Sequence, residues 1–113
     1  MYLTNFKNKE DIEGAYNCTL PESAEILLAW YGYGDYSGDS FVLYKHEGKL
    51  YEVNGSHCSC NGLEGQWNPE ETTIETLKHI AKEGTKFSGY EGSNDAQLAL
   101  EEVLKKLETP DPR

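Results

Sequence analysis

The chain of 113 residues holds only three cysteines, one methionine, four prolines and two tryptophans, and half as many basic side chains as acidic ones. Each shortage excludes something. A small, odd cysteine count rules out a disulfide framework in which every thiol is paired. A bond between Cys58 and Cys60 would close a ring too small for relaxed geometry. Free or metal-bound thiols remain, and these suit a reducing cytosol. No apolar run approaches the roughly 18–20 residues of a membrane span; the longest candidate, residues 24–31, is strand-length and interrupted by Glu25. The opening MYLTNFKNKEDIEG has no apolar signal core and leads directly into charge. A cytoplasmic protein without a membrane partner is the expectation. With ten Lys and Arg against twenty Asp and Glu, the net charge is −10, which argues against direct binding of nucleic acid. Catalytic signatures are missing as well: there is no GxxxxGK(S/T), no GxGxxG and no HExxH, and the glycine-rich GYGDYSGD lacks a basic residue to face a phosphate. The zinc-deaminase pattern needs a Glu after its His and a CxxC, and has neither here. The expectation is a protein that is not an enzyme.

What is present describes a folded domain. Hydrophobic residues make up 37% of the chain and charged residues 27%, and eight Tyr and three Phe join the two Trp, a content of aromatics that disordered chains lack. The length suits one compact α+β domain, residues 1–113, with 108–113 as a frayed tail. Residues 7–16 predict a short helix that Gly14 and the following NCTLP bring to an end. AEILLAWYGY, from residue 24, is dense in strand formers, with Ile26, Leu28 and Trp30 on one face and Leu27, Ala29 and Tyr31 on the other, as in a central strand. Residues 40–45 and 49–54 read as two strands joined across His46-Glu47-Gly48, with Val42 opposite Val53 and Tyr44 opposite Tyr51. A three-stranded antiparallel meander follows, packed with two to three helices and carrying a zinc-bound loop after the third strand. Pro69 with the Thr72/Glu75 capping spacing predicts a helix over residues 69–83 stopped by Gly84, its stripe formed by Ile74, Leu77, Ile80 and Ala81. Ser93 or Asn94 then caps a last helix running through Leu98, Val103, Leu104 and Leu107 and closed by Pro110.

The loop is NGSHCSCNG, residues 54–62. Two of three cysteines and one of three histidines fall within four residues. Thiolate and imidazole together form the ligand set of structural zinc, which prefers four ligands in a tetrahedron. His57, Cys58 and Cys60 supply three, with Gly55 and Gly62 easing the turn the loop needs. His79, on the following helix, is the leading fourth ligand; Cys18, His46, a carboxylate or water are the alternatives. The competing use of the loop is a thiol nucleophile, but neighbours on a strand face opposite ways, so a base would have to come from elsewhere.

Charge points to a partner. Between residues 10 and 77 thirteen acids face only Lys45 and Lys49, whereas from Lys78 onward seven acids meet six bases. Such a field attracts basic protein surfaces, including those that hold nucleic acid, although solubility alone would also be served by it. Tyr31, Tyr33 and Tyr36, interleaved with Asp35 and Asp39, have the composition of an interface. Glu22, Tyr33, Asp35, Tyr36 and Asp39 are the candidate partner-binding residues, and Trp67 is read as a lid on the core below the loop.

The run LYEVNGSHCSCNGLEGQWNPEETT resembles a group of phage and prophage proteins in which a strand leads into an HCSC loop and then a Gly-Leu-Glu-Gly-Gln-Trp segment before a helix. The likeness spans about residues 24 to 83. Size, acidity and the expected metal also resemble a metal-containing anti-CRISPR protein that inhibits Cas9 of type II-A. The resemblance implies a stoichiometric inhibitor in the cytoplasm of a bacterial host cell, binding Cas9 or its guide-RNA complex and hindering the loading of target DNA. It implies a structural zinc with His57, Cys58 and Cys60 at the matching positions, and no catalytic residues. The rival readings are a metal-dependent or thiol enzyme of phage origin and a small phage regulatory protein with another host partner.

Overall fold

The computed structural model describes residues 2–4, 6–33, 38–57, 63–83 and 93–108. In chain order the elements are β1 (Tyr2–Thr4), α1 (Lys9–Tyr16), β2 (Glu25–Tyr33), β3 (Gly38–His46), β4 (Lys49–His57), β5 (Glu70–Thr72), α2 (Ile74–Glu83) and α3 (Ser93–Glu108). The five strands form one mixed sheet in the order β1-β2-β3-β4-β5. Its centre is the expected meander, and the register places Val42 opposite Val53 and Tyr44 opposite Tyr51. Two-residue turns of the I′ family need positive φ at both central positions. Glu47 at 53° and Gly48 at 81° supply them.

The three-stranded expectation is too small by two edge strands. β1 pairs in parallel with β2, Tyr2 against Ala29 through Thr4 against Tyr31. Parallel neighbours need a crossover, and α1 provides it. That helix begins where the Asn8 side chain accepts from the Asp11 N–H at 2.9 Å while the Asp11 carboxylate accepts from the Lys7 N–H at 2.8 Å. Gly14 lies inside it; the helix ends instead at Asn17, which takes the left-handed conformation at φ 55° as the Cys18 N–H bonds back to the Glu13 carbonyl. On the other edge, residues 70–72 form β5 rather than the first turn of a helix, pairing with residues 50–52 of β4. The helix starts later, with the Thr73 hydroxyl accepting from the Thr76 N–H at 3.1 Å in place of the Thr72/Glu75 pair. The stop at Gly84 and the closure at Pro110 lie outside the described residues.

Both faces of the sheet are covered, by different means. On one, Leu28, Trp30, Phe41 and Leu43 pack under Leu77, Ile80 and Ala81 of α2 and Ala96, Ala99, Leu100, Val103 and Leu104 of α3. On the other, Ala29, Tyr31, Val42, Tyr44 and Val53 meet Ile12 and Tyr16 of α1 together with Phe6, Leu20, Ala24 and Leu63. The alternation in β2 breaks between Ile26 and Leu28, where the register shifts by one residue. Because an inserted residue reverses the facing of all that precede it, Ile26 packs with the α1 side and Leu27 with the α2/α3 side, opposite to the simple alternation. Leu98, expected in the stripe of α3, is 60% exposed: the buried positions 96, 99, 100, 103 and 104 follow the 3.6-residue period, and 98 falls off it. Among the described residues, no helix is long and apolar enough to cross a membrane.

Candidate functional site

Register decides which loops are neighbours. Tyr33 pairs with Gly38 and Gly38 with His57, so the β2–β3 connection at residues 34–37 and the cysteine loop at residues 58–62 leave the sheet side by side. The tyrosine–aspartate strip and the thiol loop, far apart in sequence, therefore belong to one end of the fold. The β3–β4 hairpin tip is at the other.

Both ends of the thiol loop are fixed. Its entrance is the last pair of β4, His57 with Gly38. Its exit is Leu63, 1% exposed and inserted into the α1-side core, with one methyl 3.1 Å from where a Cβ on Gly55 would stand. Three residues on, Gln66 closes a clasp: its Oε1 accepts from the Ser56 N–H at 2.9 Å and its Nε2 donates to the Ser56 carbonyl at 2.6 Å. One side-chain amide thus does for Ser56 what a neighbouring strand does for residues 50–52. Gly65, at φ 81°, makes the bend that lets Gln66 return.

Gly55 serves packing and not the loop's turn, contrary to the sequence reading. A Cβ there would lie 2.8 Å from the Tyr16 hydroxyl oxygen. With only a hydrogen in the way, Tyr16 crosses β4 and reaches the Ser40 Oγ at 2.8 Å. Burial pushes the Tyr16 phenol up to about 12; the bond to Ser40 opposes this and loses, and the nearby Cys18 adds slightly to the rise. Trp67 packs against the same cluster, edge-on to Tyr16 at 5.1 Å and stacked on Tyr44 at 5.9 Å, and Tyr44 stacks in turn on Tyr51 at 5.4 Å. Gly62 lies outside the described residues.

Of the expected metal ligands, His57 is placed by its backbone as the end of β4, while Cys58 and Cys60 lie outside the described residues. His79 is exposed on α2, in the layer across the sheet from Leu63 and Trp67. Cys18 is half-buried on the α1 side, its thiol pushed up first by burial and then by the Glu13 carboxylate. His46 is bound to Ser23 at 3.0 Å and pairs with Lys49, eight positions along β4 from His57. At about 3.3 Å per residue that is roughly 26 Å, too far to share an ion with the end of β4. Among the described residues no three His, Cys, Asp or Glu side chains gather as a metal site.

The candidate partner residues divide. Asp39, half-buried, pairs with Gly32 and Ser56 beside the loop, and Tyr33 ends β2 there. Asp35 and Tyr36 lie outside the described residues. Glu22 is exposed near the opposite end, where its carbonyl accepts from the Lys9 ammonium and Glu25 pairs with Lys45. Six residues of β3 separate Lys45 from Asp39, roughly 20 Å.

Sequence reasoning overlooked the β4–β5 edge. Glu70 pairs opposite Glu52, and Glu70 and Glu71 are both exposed on this edge. Glu52 itself, 7% exposed, accepts from the Asn54 side-chain amide at 2.9 Å. Recognising 70–72 as a strand would have revealed this carboxylate edge, but no local signal announces Gln66. Comparison with known proteins finds no matching family model, no matching curated protein and no matching solved structure.

Proposed function

We propose that this protein is a non-catalytic acidic binding module that docks on a basic face of a nucleic-acid-handling protein in the bacterial cytoplasm, with Cas9 or its guide-RNA complex as the partner, and hinders the loading of target DNA. The observation that carries the reading is the charge: thirteen acids against Lys45 and Lys49 between residues 10 and 77. Exposed Glu70 and Glu71 place part of it on the β5 edge of the sheet. Such a surface repels phosphate and is drawn to the positively charged channels that hold guide and target strands. The choice of Cas9 rests on the resemblance of the HCSC run to phage proteins.

A structural zinc is part of the proposal. His57, Cys58 and Cys60 form a donor set suited to it, and the fixed strand end and the Ser56–Gln66 clasp narrow the space over which three ligands must be brought together. His79 is the proposed fourth ligand, with Cys18 as the alternative. Zinc supplies a crosslink there and no chemistry. A thiol enzyme draws no support from Cys18, whose raised thiol favours the neutral, unreactive form.

Cleavage of target DNA by Cas9 and guide, with the protein added before or after DNA, tests the function. Inhibition is expected when the protein is added first, together with weaker association as salt rises and the Debye length falls from about 10 Å toward about 3 Å. Charge reversal at Glu22, Asp35 and Asp39 weakens it without unfolding. Unchanged cleavage in both orders at tenfold excess removes Cas9. Metal content of untagged protein tests the zinc separately: well under one ion per chain, with Cys58→Ser/Cys60→Ser melting like the parent, removes the site.

A further inference from the structure

We propose that the β4–β5 edge, on its α2/α3 face, binds a hard divalent cation of the Ca²⁺ and Mg²⁺ class through Glu52, Glu70, Asn54 and Thr72. Register sets these residues together. Glu52 and Glu70 are direct cross-strand partners, and Thr72 lies opposite Leu50, one step along each strand's same face. The neighbours fix which face this is: Leu43, opposite Glu52 on β3, and Phe41, opposite Asn54, both pack beneath α2 and α3, as does Leu50. Glu71 falls on the other face, opposite Tyr51 of the α1 side, and takes no part.

Two independent observations call for a cation here. Like charges directly opposite each other in a sheet are destabilising, and Glu52, 7% exposed, has little water to screen it from Glu70. Neither carboxylate forms an ion pair with a base of the chain. Separately, the hydroxyl oxygen of Thr72, on the face it shares with Glu70, is buried without a hydrogen-bond partner, in a residue itself 7% exposed. A buried polar atom left unsatisfied in a native fold is accounted for by a bound water or ion. The Asn54 amide donates to Glu52 Oε1 at 2.9 Å, which aligns that carboxylate and leaves Glu52 Oε2 and Asn54 Oδ1 as acceptors. Two charged and two neutral oxygens are the donor set of a hard cation and not of zinc. Direct cross-strand partners have Cβ atoms about 4.5–5.5 Å apart and diagonal neighbours about 7–8 Å, within the span of a cation whose oxygen ligands lie at about 2.3–2.6 Å. A partner's lysine would answer the charge, but its stem would have to follow the ammonium to a buried hydroxyl; a metal ion needs no such room.

The test is an NMR titration and a melting series of the full chain in metal-depleted buffer, with CaCl₂ or MgCl₂ added at constant ionic strength. Saturable amide shifts centred on residues 50–54 and 70–72 are expected, half-complete at about 0.1–1 mM Ca²⁺, the range of weak oxygen-ligand sites. The melting temperature should rise with them. Mg²⁺ should act at higher concentration, because it demands near-ideal octahedral geometry. Glu70→Gln should weaken Ca²⁺ binding by about tenfold or more and, without metal, melt at or above the parent, since the repulsion is gone. Thr72→Val, similar in shape, should weaken it several-fold. Glu70 is exposed, so its variant reads the site even where Thr72→Val does not fold. The response should persist in Cys58→Ser/Cys60→Ser, and no readout involves Cas9, so this site is tested apart from the zinc and the partner proposed above. The proposal is overturned by absence of saturation at about 10 mM of either ion, by shifts spread over the acidic surface at large, or by a parent-like response in Glu70→Gln or in folded Thr72→Val.

Discussion

The two faces of the sheet reach burial by opposite routes. Under α2 and α3 the helices contribute aliphatic side chains, laid over Trp30 and Phe41 of the sheet, and their apolar positions repeat with the helical period, so stability there follows area. Under α1 the filling is aromatic and irregular: Phe6 lies 5.3 Å from Tyr31, Tyr16 crosses a glycine to reach Ser40, and Leu63 and Trp67 arrive from a loop. The first face tolerates imprecision because many equivalent contacts share the load. The second depends on a few fits, and these hold the loop end of the sheet in place.

The largest effect should come from the area-driven face. Trp30, fully buried between sheet and helices, should cost about 3–5 kcal/mol when changed to Ala, read as a lowered urea midpoint at unchanged slope. A loss under about 1 kcal/mol would mean that the α2/α3 layer is not the main store of stability.

Alkaline titration isolates the other face. The Tyr16 phenol is raised from 10.0 to about 12 in the folded protein. Above pH 10 the unfolded chain releases this proton while the folded chain keeps it, so stability is unaffected below pH 10 and falls as pH rises through 12. A two-unit shift corresponds to about 2.7 kcal/mol. Tyr16→Phe should remove most of this slope, leaving the contributions of Tyr2, Tyr44 and Cys18, which burial also raises. Urea melts at stepped pH would show it, and an unchanged slope in the variant would place the titration elsewhere.

Next comes Gly55→Ala, which drives a methyl against Tyr16 and Leu63 and should destabilise by about 1–3 kcal/mol. Combined with Tyr16→Phe, which removes the atom met at 2.8 Å, the two losses should be less than additive; strict additivity would deny that the two residues share a contact. Gln66→Ala should be the mildest, about 0.5–1.5 kcal/mol. Its signature is local: faster amide exchange at Ser56 with little change in melting. Uniform acceleration across the sheet would show that the clasp matters globally.

Much of the architecture is legible in the residues because it rests on short periods. Val42/Val53 and Tyr44/Tyr51 declare the hairpin, and Leu77, Ile80 and Ala81 declare the inner face of α2. What escapes depends on distant partners. Three residues at 2–4 are too few for periodicity and become a strand only against β2. Pro69, Thr72 and Glu75 imitate a helix start, yet β4 has an edge at residues 50–52 that residues 70–72 pair with, and that pairing prevails over the local signal. The register shift at Ile26/Leu28 is invisible to alternation, which assumes it away. At the candidate site, composition singles out the HCSC loop, but not its adjacency to the Tyr33–Gly38 turn or the clasp by Gln66. These are consequences of register and of one side chain finding one backbone unit.

The Ser56–Gln66 clasp separates the fate of the loop from that of the sheet. With Ser56 tied to Gln66, and Leu63 seated against Gly55, the chain is already closed on both sides of residues 58–62. A change that loosens Gln66 or Leu63 therefore releases the chain next to Ser56 alone, while the pairs from Gly38–His57 to His46–Lys49 still hold β4 in register.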